Sequence, residues 1–246
     1  MDDEPKKRYL AVKELFNRMS HEISSIVESY RIWRTLTFSR SIPETGQEQA
    51  DKNAKLLSLY KDFFIPTEQS HLQTFIVGLM KFFDKNPQAL SFAGLVKELE
   101  KNKDIFTPDL LKEMNPNLAR FGSVKDDYVP VTQDTVDALE QLRTSHAPLI
   151  SNLKNVRDKQ FAHTDMKTIK GTFVPNEVEE LIKGVQEMFN RLSNDFDLSA
   201  TVWDHLEDES VRSTKFVMEN LQRGEVARME EIQKKWGSLG ASQGEE

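Results

Sequence analysis

Cysteine is absent from the 246 residues, so the chain can offer no disulfide framework, no thiolate metal site and no thiol nucleophile. A reducing compartment is expected. Proline and glycine are scarce, at nine and ten, which excludes collagen-like and linker-rich chains. No apolar run approaches membrane-spanning length, and the first residues, "MDDEPKKRYLAVKELF", lack the apolar centre of a signal peptide. The expected location is cytoplasmic. Basic residues are also in deficit, 33 Lys and Arg against 40 Asp and Glu for a net charge of −7. The chain should therefore not adhere to nucleic acid or anionic membrane through bulk charge, and any RNA site must be local.

What is present is helical patterning, with apolar residues recurring at steps of three and four. Between residues 5 and 40, Tyr9, Val12, Phe16, Met19, Ile23, Ile26, Tyr30 and Trp33 form one stripe, a long helix closed by Pro43 and Gly46. A second helix is expected over 47–64. Pro66 and Thr67 then start a third, apolar nearly all round from Leu72 to Phe83 and therefore central. Ser91 opens a shorter helix, and Thr107 followed by Pro108 caps another. Residues 115–130 lack periodicity and read as a loop. Thr132 caps the next helix, whose stripe of Val136, Leu139, Leu142, His146, Leu149, Leu153, Val156 and Gln160 grows polar toward its end.

Pro175 and Asn176 start a further helix, and the charge-dense remainder reads as one or two more. That remainder carries a loose stripe through Phe216, Val217, Leu221, Val226, Met229, Ile232 and Trp236, compatible with packing on a partner or on the same chain. With no run of strands and no internal repeat, the expected class is an all-α bundle of about six to eight helices. The organisation expected is a bundle over 1–200, a C-terminal helical extension over 201–237 and a disordered tail over 238–246.

One stretch departs from ordinary amphipathicity: "NLKNVRDKQFAHTDMKTIKG", residues 152–171. It places Arg157, Asp158, His163 and Asp165 where the apolar stripe ends. Lys154, Arg157, Lys159, Lys167 and Lys170 stand there against Asp158 and Asp165, a positive island in an acidic chain. Charge alone is equally compatible with a solvated helix end whose lysines are favoured by the helix dipole. An arginine followed by four to six residues and a histidine is common by chance, although among the five histidines only His163 has an arginine in that window.

The residues "VRDKQFAHTD", 156–165, resemble the HEPN superfamily, and within it the abortive-infection U-type (AbiU2-like) group. A second stretch, "FIVGLMKFFDKNPQALSFAGLVKEL", residues 75–99, is similar to that group's central helix, ending in an acid at Asp84 and followed by a helix begun by Ser91. The similarity covers most of residues 8–195. The resemblance implies an HEPN-like bundle over 1–200 and a metal-independent endoribonuclease of bacterial antiphage, abortive-infection or toxin systems, without a cofactor. It also implies a homodimer, with the arginine and histidine of both protomers facing one cleft.

On that resemblance Arg157 and His163 are catalytic and Asp158 orients one of them, while Lys154, Lys159, Asp165 and Lys167 bind RNA or support the site. The residue types suit the chemistry. An imidazole titrating near neutral pH can move the proton of a ribose 2′-hydroxyl or of the leaving 5′-oxygen, and a guanidinium can stabilise the charge that develops on phosphorus-bound oxygens. The spacing is less simple, because six positions on an ideal helix turn through about 120° and rise about 9 Å. Either the helix unwinds near Phe161 or a symmetric partner completes the site. Where HEPN toxins silenced by a nucleotidyltransferase carry a tyrosine, two residues after the histidine, this chain has Asp165, so that route of silencing is in doubt.

Two other readings stay open. The stretch could be an ion-paired helix terminus in a noncatalytic nucleic-acid- or protein-binding module, or the chain could be a structural oligomer built on its C-terminal helices. A protein partner or antitoxin is compatible with each. No metal site is expected at His71 with Glu68, or at His205 with Asp204 and Glu207, since neither has a second histidine on the same helical face. "YRIWRTLTFSR", residues 30–40, could stack and clamp single-stranded RNA, but its pattern favours core aromatics with Arg31, Arg34 and Arg40 on a solvated face.

Overall fold

The structure, a computed structural model, describes residues 4–84, 86, 89–115, 128–162 and 173–241. Among the described residues there are ten α-helices, one π-helix and no strand. In chain order they are α1 (Glu4–Phe38), α2 (Ile42–Thr45), α3 (Gln47–Leu59), α4 (Lys61–Phe82), α5 (Phe92–Lys101) and α6 (Pro108–Met114). They continue as α7 (Gln133–Ser145), α8 (Ala147–Val156), the π-helix (Arg157–Ala162), α9 (Pro175–Asp197) and α10 (Asp204–Ala241). The all-α expectation holds, and the additional helices are the four-residue α2, at the expected close of the first helix, and α8, split from α7 at His146.

Helix starts follow local chemistry. Ser91, Thr107 and Thr132 each accept a backbone N–H three residues on, from Gly94, Leu110 and Thr135, satisfying donors that the first turn leaves open. Pro175 begins α9, where its missing N–H is no loss. Two boundaries differ from expectation. The second helix ends at Leu59 rather than 64, and Pro66 lies inside α4 rather than at its start; the turn is at Tyr60, with φ −107° and ψ 33°. The helix expected to run from Thr132 into the Arg157 motif is broken at His146, because Pro148 has no N–H to donate to the preceding turn.

The chain divides into two compact units, one of residues 1–29 and 72–205, the other of residues 30–71 and 206–246. The first unit is built on aromatic packing: Phe16 and Phe196 stack with centroids 4.6 Å apart, Tyr9 stacks on Phe196 at 5.2 Å, and Phe106 meets Phe196 edge-on at 5.5 Å. Tyr9 is fully buried and its hydroxyl meets no hydrogen-bond partner among the described residues. Burial, reinforced by Asp197, pushes its pKa up to about 12. At one edge the Arg8 guanidinium is bidentate on Asp104 at 2.8 and 2.9 Å and reaches Asn102.

Helix α9 packs on α7 through apolar and polar contacts together. A Cβ at Gly184 would lie 2.4 Å from Leu142 Cδ1, so glycine permits the close approach. Nearby, Thr135 donates to Asp195 at 2.5 Å and accepts from Arg191 Nε at 3.2 Å. In the second unit Leu36, Leu56, Leu57, Phe64 and Met218 form the core. The arginines of residues 30–40 are not all on a solvated face as expected. Arg31 is ion-paired with Glu207 and largely buried, while Arg40 is exposed and pairs with Glu68.

Candidate functional site

Helix α8 is anchored by Leu149, Leu153 and Val156, all buried. At the next residue the helix changes form. The Arg157 N–H bonds to both Leu153 and Lys154 carbonyls, and from Arg157 to Ala162 the backbone is π-helical. Such segments widen the turn by one residue and often coincide with functional sites, since the altered pitch re-aims side chains that an α-helix would separate. The departure begins at Arg157, four residues ahead of Phe161, where unwinding was one of the two expected solutions.

Arg157 is half-buried and turns back on its neighbour. Its Nε donates to Asp158 Oδ1 at 2.8 Å, and Nη2 lies 2.6 Å from the same oxygen. The carboxylate is the more exposed partner, with its side chain 47% accessible against 24% for Arg157, so a ligand can reach the pair from the Asp158 side. Lys154 and Lys159 are exposed and enter no ion pair among the described residues. Four of the seven expected site residues, Lys154, Arg157, Asp158 and Lys159, thus lie within two helical turns, and of these Arg157 and Asp158 are in contact. His163, Asp165 and Lys167 lie outside the described residues.

The second stretch that carried the resemblance is in place. The Asp84 carboxylate accepts the Asn86 N–H at 2.9 Å, and Ser91, 1% exposed, caps α5. Farther on, Phe173 packs edge-on against Phe75 of α4 at 6.2 Å. Among the described residues no group of three or more His, Asp or Glu is placed to hold a metal ion, and no helix is long and apolar enough to cross a membrane.

A family profile described as AbiU2, of the HEPN class, matches residues 9–217. The chain belongs to the AbiU2 family. The match takes in the whole Arg157 to His163 stretch and the Asp84 to Ser91 stretch, and it makes the chain an HEPN-type module of the abortive-infection kind. Neither curated proteins nor solved structures yield a match. In this AbiU2 member the matched region stops at residue 217, leaving the rest of α10 outside it.

Proposed function

We propose that this AbiU2 protein is a metal-independent endoribonuclease of a bacterial antiphage or toxin system, acting on RNA as a homodimer. The observation that carries the proposal is the change from α- to π-helix at Arg157, within the region that matches the family. His163 moves the proton of the attacking 2′-hydroxyl or of the departing 5′-oxygen, and Arg157 stabilises the charge on the oxygens of the phosphorane. Asp158 holds the guanidinium by a charge-assisted bond. Lys154, Lys159 and Lys167 supply the phosphate contacts, and Asp165 supports the imidazole. An antitoxin or other protein partner would control the activity.

One observation favours a second reading. A guanidinium bonded to the adjacent carboxylate is also what an ion-paired helix terminus in a noncatalytic binding module contains. The chemistry of the products separates the two. Attack by the 2′-hydroxyl leaves a 2′,3′-cyclic phosphate or its hydrolysis product, and DNA of the same sequence is not cut. Cyclic-phosphate ends on RNA and intact DNA are expected. Binding of RNA without new ends, or equal cutting of DNA, would favour the binding module or another chemistry.

A further inference from the structure

A cleft of about 630 Å³ lies wholly within the second unit, a size suited to a small-molecule ligand. Its lining groups come from α1 beyond residue 30, from α2 and α3, and from α10. Three of them, Met218, Glu219 and Gln222, lie past the end of the family match at residue 217. The cleft is independent of the Arg157 stretch and of the proposal made for it.

Its chemistry is specific in three respects. Gln49 and Gln222 both donate to the same acceptor, Asn53 Oδ1, at 2.9 and 2.8 Å, while Asn53 donates to the Ser39 carbonyl at 2.7 Å. The Asn53 amide oxygen thereby accepts from two donors, which fixes the side chain. Each glutamine keeps its carbonyl oxygen and a second N–H for a ligand, the acceptor and donor pair that matches the N6 and N7 edge of adenine. Phe38 lines the same space, with the Arg34 guanidinium over its ring at 5.6 Å from the centroid, and aromatic and guanidinium planes are platforms for bases.

The charges set the rest of the ligand. Arg31 is already paired with Glu207, Arg34 stands 3.7 Å from Glu44, and Lys215 enters no ion pair among the described residues. Arg34 and Lys215 suit one phosphate group, and the carboxylates Glu44 and Glu219 in the same lining suit ribose hydroxyls, as acidic side chains do in dinucleotide sites. Two cations against two acids disfavour a triphosphate. We propose that this cleft binds an adenosine monophosphate group, with the carboxamides on the base, the carboxylates on the ribose and Arg34 with Lys215 on the phosphate. The group can be free AMP or the terminal adenosine phosphate of an RNA.

Isothermal titration of the full chain tests this with AMP, inosine 5′-monophosphate, adenosine, inorganic phosphate, and a short RNA ending in a 3′-terminal adenosine with free ribose hydroxyls, every other ribose being 2′-O-methylated so that no phosphodiester can be cut through a 2′-hydroxyl. AMP or the RNA should bind saturably, and each of Lys215→Ala and Gln49→Ala should weaken binding about tenfold. Both side chains are exposed, so the melting temperature should not move. Inosine monophosphate, lacking the amine, and adenosine, lacking the phosphate, should each bind about tenfold more weakly. Tighter binding of the RNA than of AMP assigns the site to RNA ends, and the reverse to the free nucleotide. The proposal is overturned if neither saturates at millimolar concentration, if inorganic phosphate binds as well as AMP, or if both variants bind like wild type.

Discussion

Arg157 holds Asp158, its own chain neighbour, through two nitrogens on one carboxylate oxygen, at 2.8 and 2.6 Å. A pair so local fixes the guanidinium at the point where the helix changes form, and it leaves the other carboxylate oxygen available. If Asp158 positions Arg157 for RNA, then Asp158→Asn removes the charge that holds it while keeping the shape. The expected outcome is a loss of about ten- to a hundredfold in RNA cleavage rate with an unchanged melting temperature. Unaltered cleavage would show that Arg157 needs no such support.

The Thr135 hydroxyl is fully buried between Asp195 and Arg191. Thr135→Val keeps the volume and deletes these bonds together with the one shared with the Thr132 hydroxyl, leaving a half-buried carboxylate short of a donor. A destabilisation of about 1–3 kcal/mol is expected, read as a lower midpoint in denaturant unfolding with an unchanged slope.

Tyr9 makes the opposite case. Its hydroxyl is buried without a partner among the described residues, so Tyr9→Phe removes a group that folding desolvates for no return, while the ring stacked on Phe196 stays. Stability should be unchanged or higher, by up to about 1 kcal/mol. A clear loss in thermal unfolding would show that the hydroxyl has a partner in solution.

The caps and the all-α class were legible because they depend on neighbours in sequence. Ser91, Thr107, Thr132 and Pro175 each announce a helix start from the residue itself and the next three or four. The breaks at Tyr60 and His146 were not legible from periodicity, since the apolar stripe continues across both and only Pro148 marked the second. The buried pairing of Arg31 with Glu207 joins residues 176 apart in sequence, which no local pattern encodes. At the candidate site, the fading apolar stripe through Gln160 pointed to a helix that changes near Phe161, whereas the α form already ends at Val156. The π form was invisible because it is a property of backbone hydrogen bonds rather than of side-chain period.

His71 gives a pH dependence of definite sign. Burial lowers its pKa from the ordinary 6.5, so below that value the unfolded chain binds a proton more readily than the folded one. Stability is then fully present above about pH 6.5 and falls as pH drops through it, levelling off below the folded pKa. His71→Gln should flatten this part of the melting temperature profile between about pH 8 and pH 5. An identical profile for wild type and variant would mean that His71 titrates alike in both states.

Packing of α1 on α4 in the first unit depends on Gly78. A Cβ there would lie 2.7 Å from Cγ1 of Ile26, a buried β-branched side chain with little freedom to move. Gly78→Ala gains about 1 kcal/mol of helix propensity against about 1–3 kcal/mol of overpacking. A net fall in melting temperature is expected, and a rise would show that Ile26 adjusts without strain.

The rate at which the purified protein cuts RNA in EDTA, compared with His163→Ala and with the mass of each by light scattering, bears most directly on the ribonuclease proposal. Wild type should cut without metal, and the variant should keep the wild-type mass while losing at least about a hundredfold in rate. Cleavage by the variant at the wild-type rate, or no cleavage by wild type on any RNA offered, would contradict it.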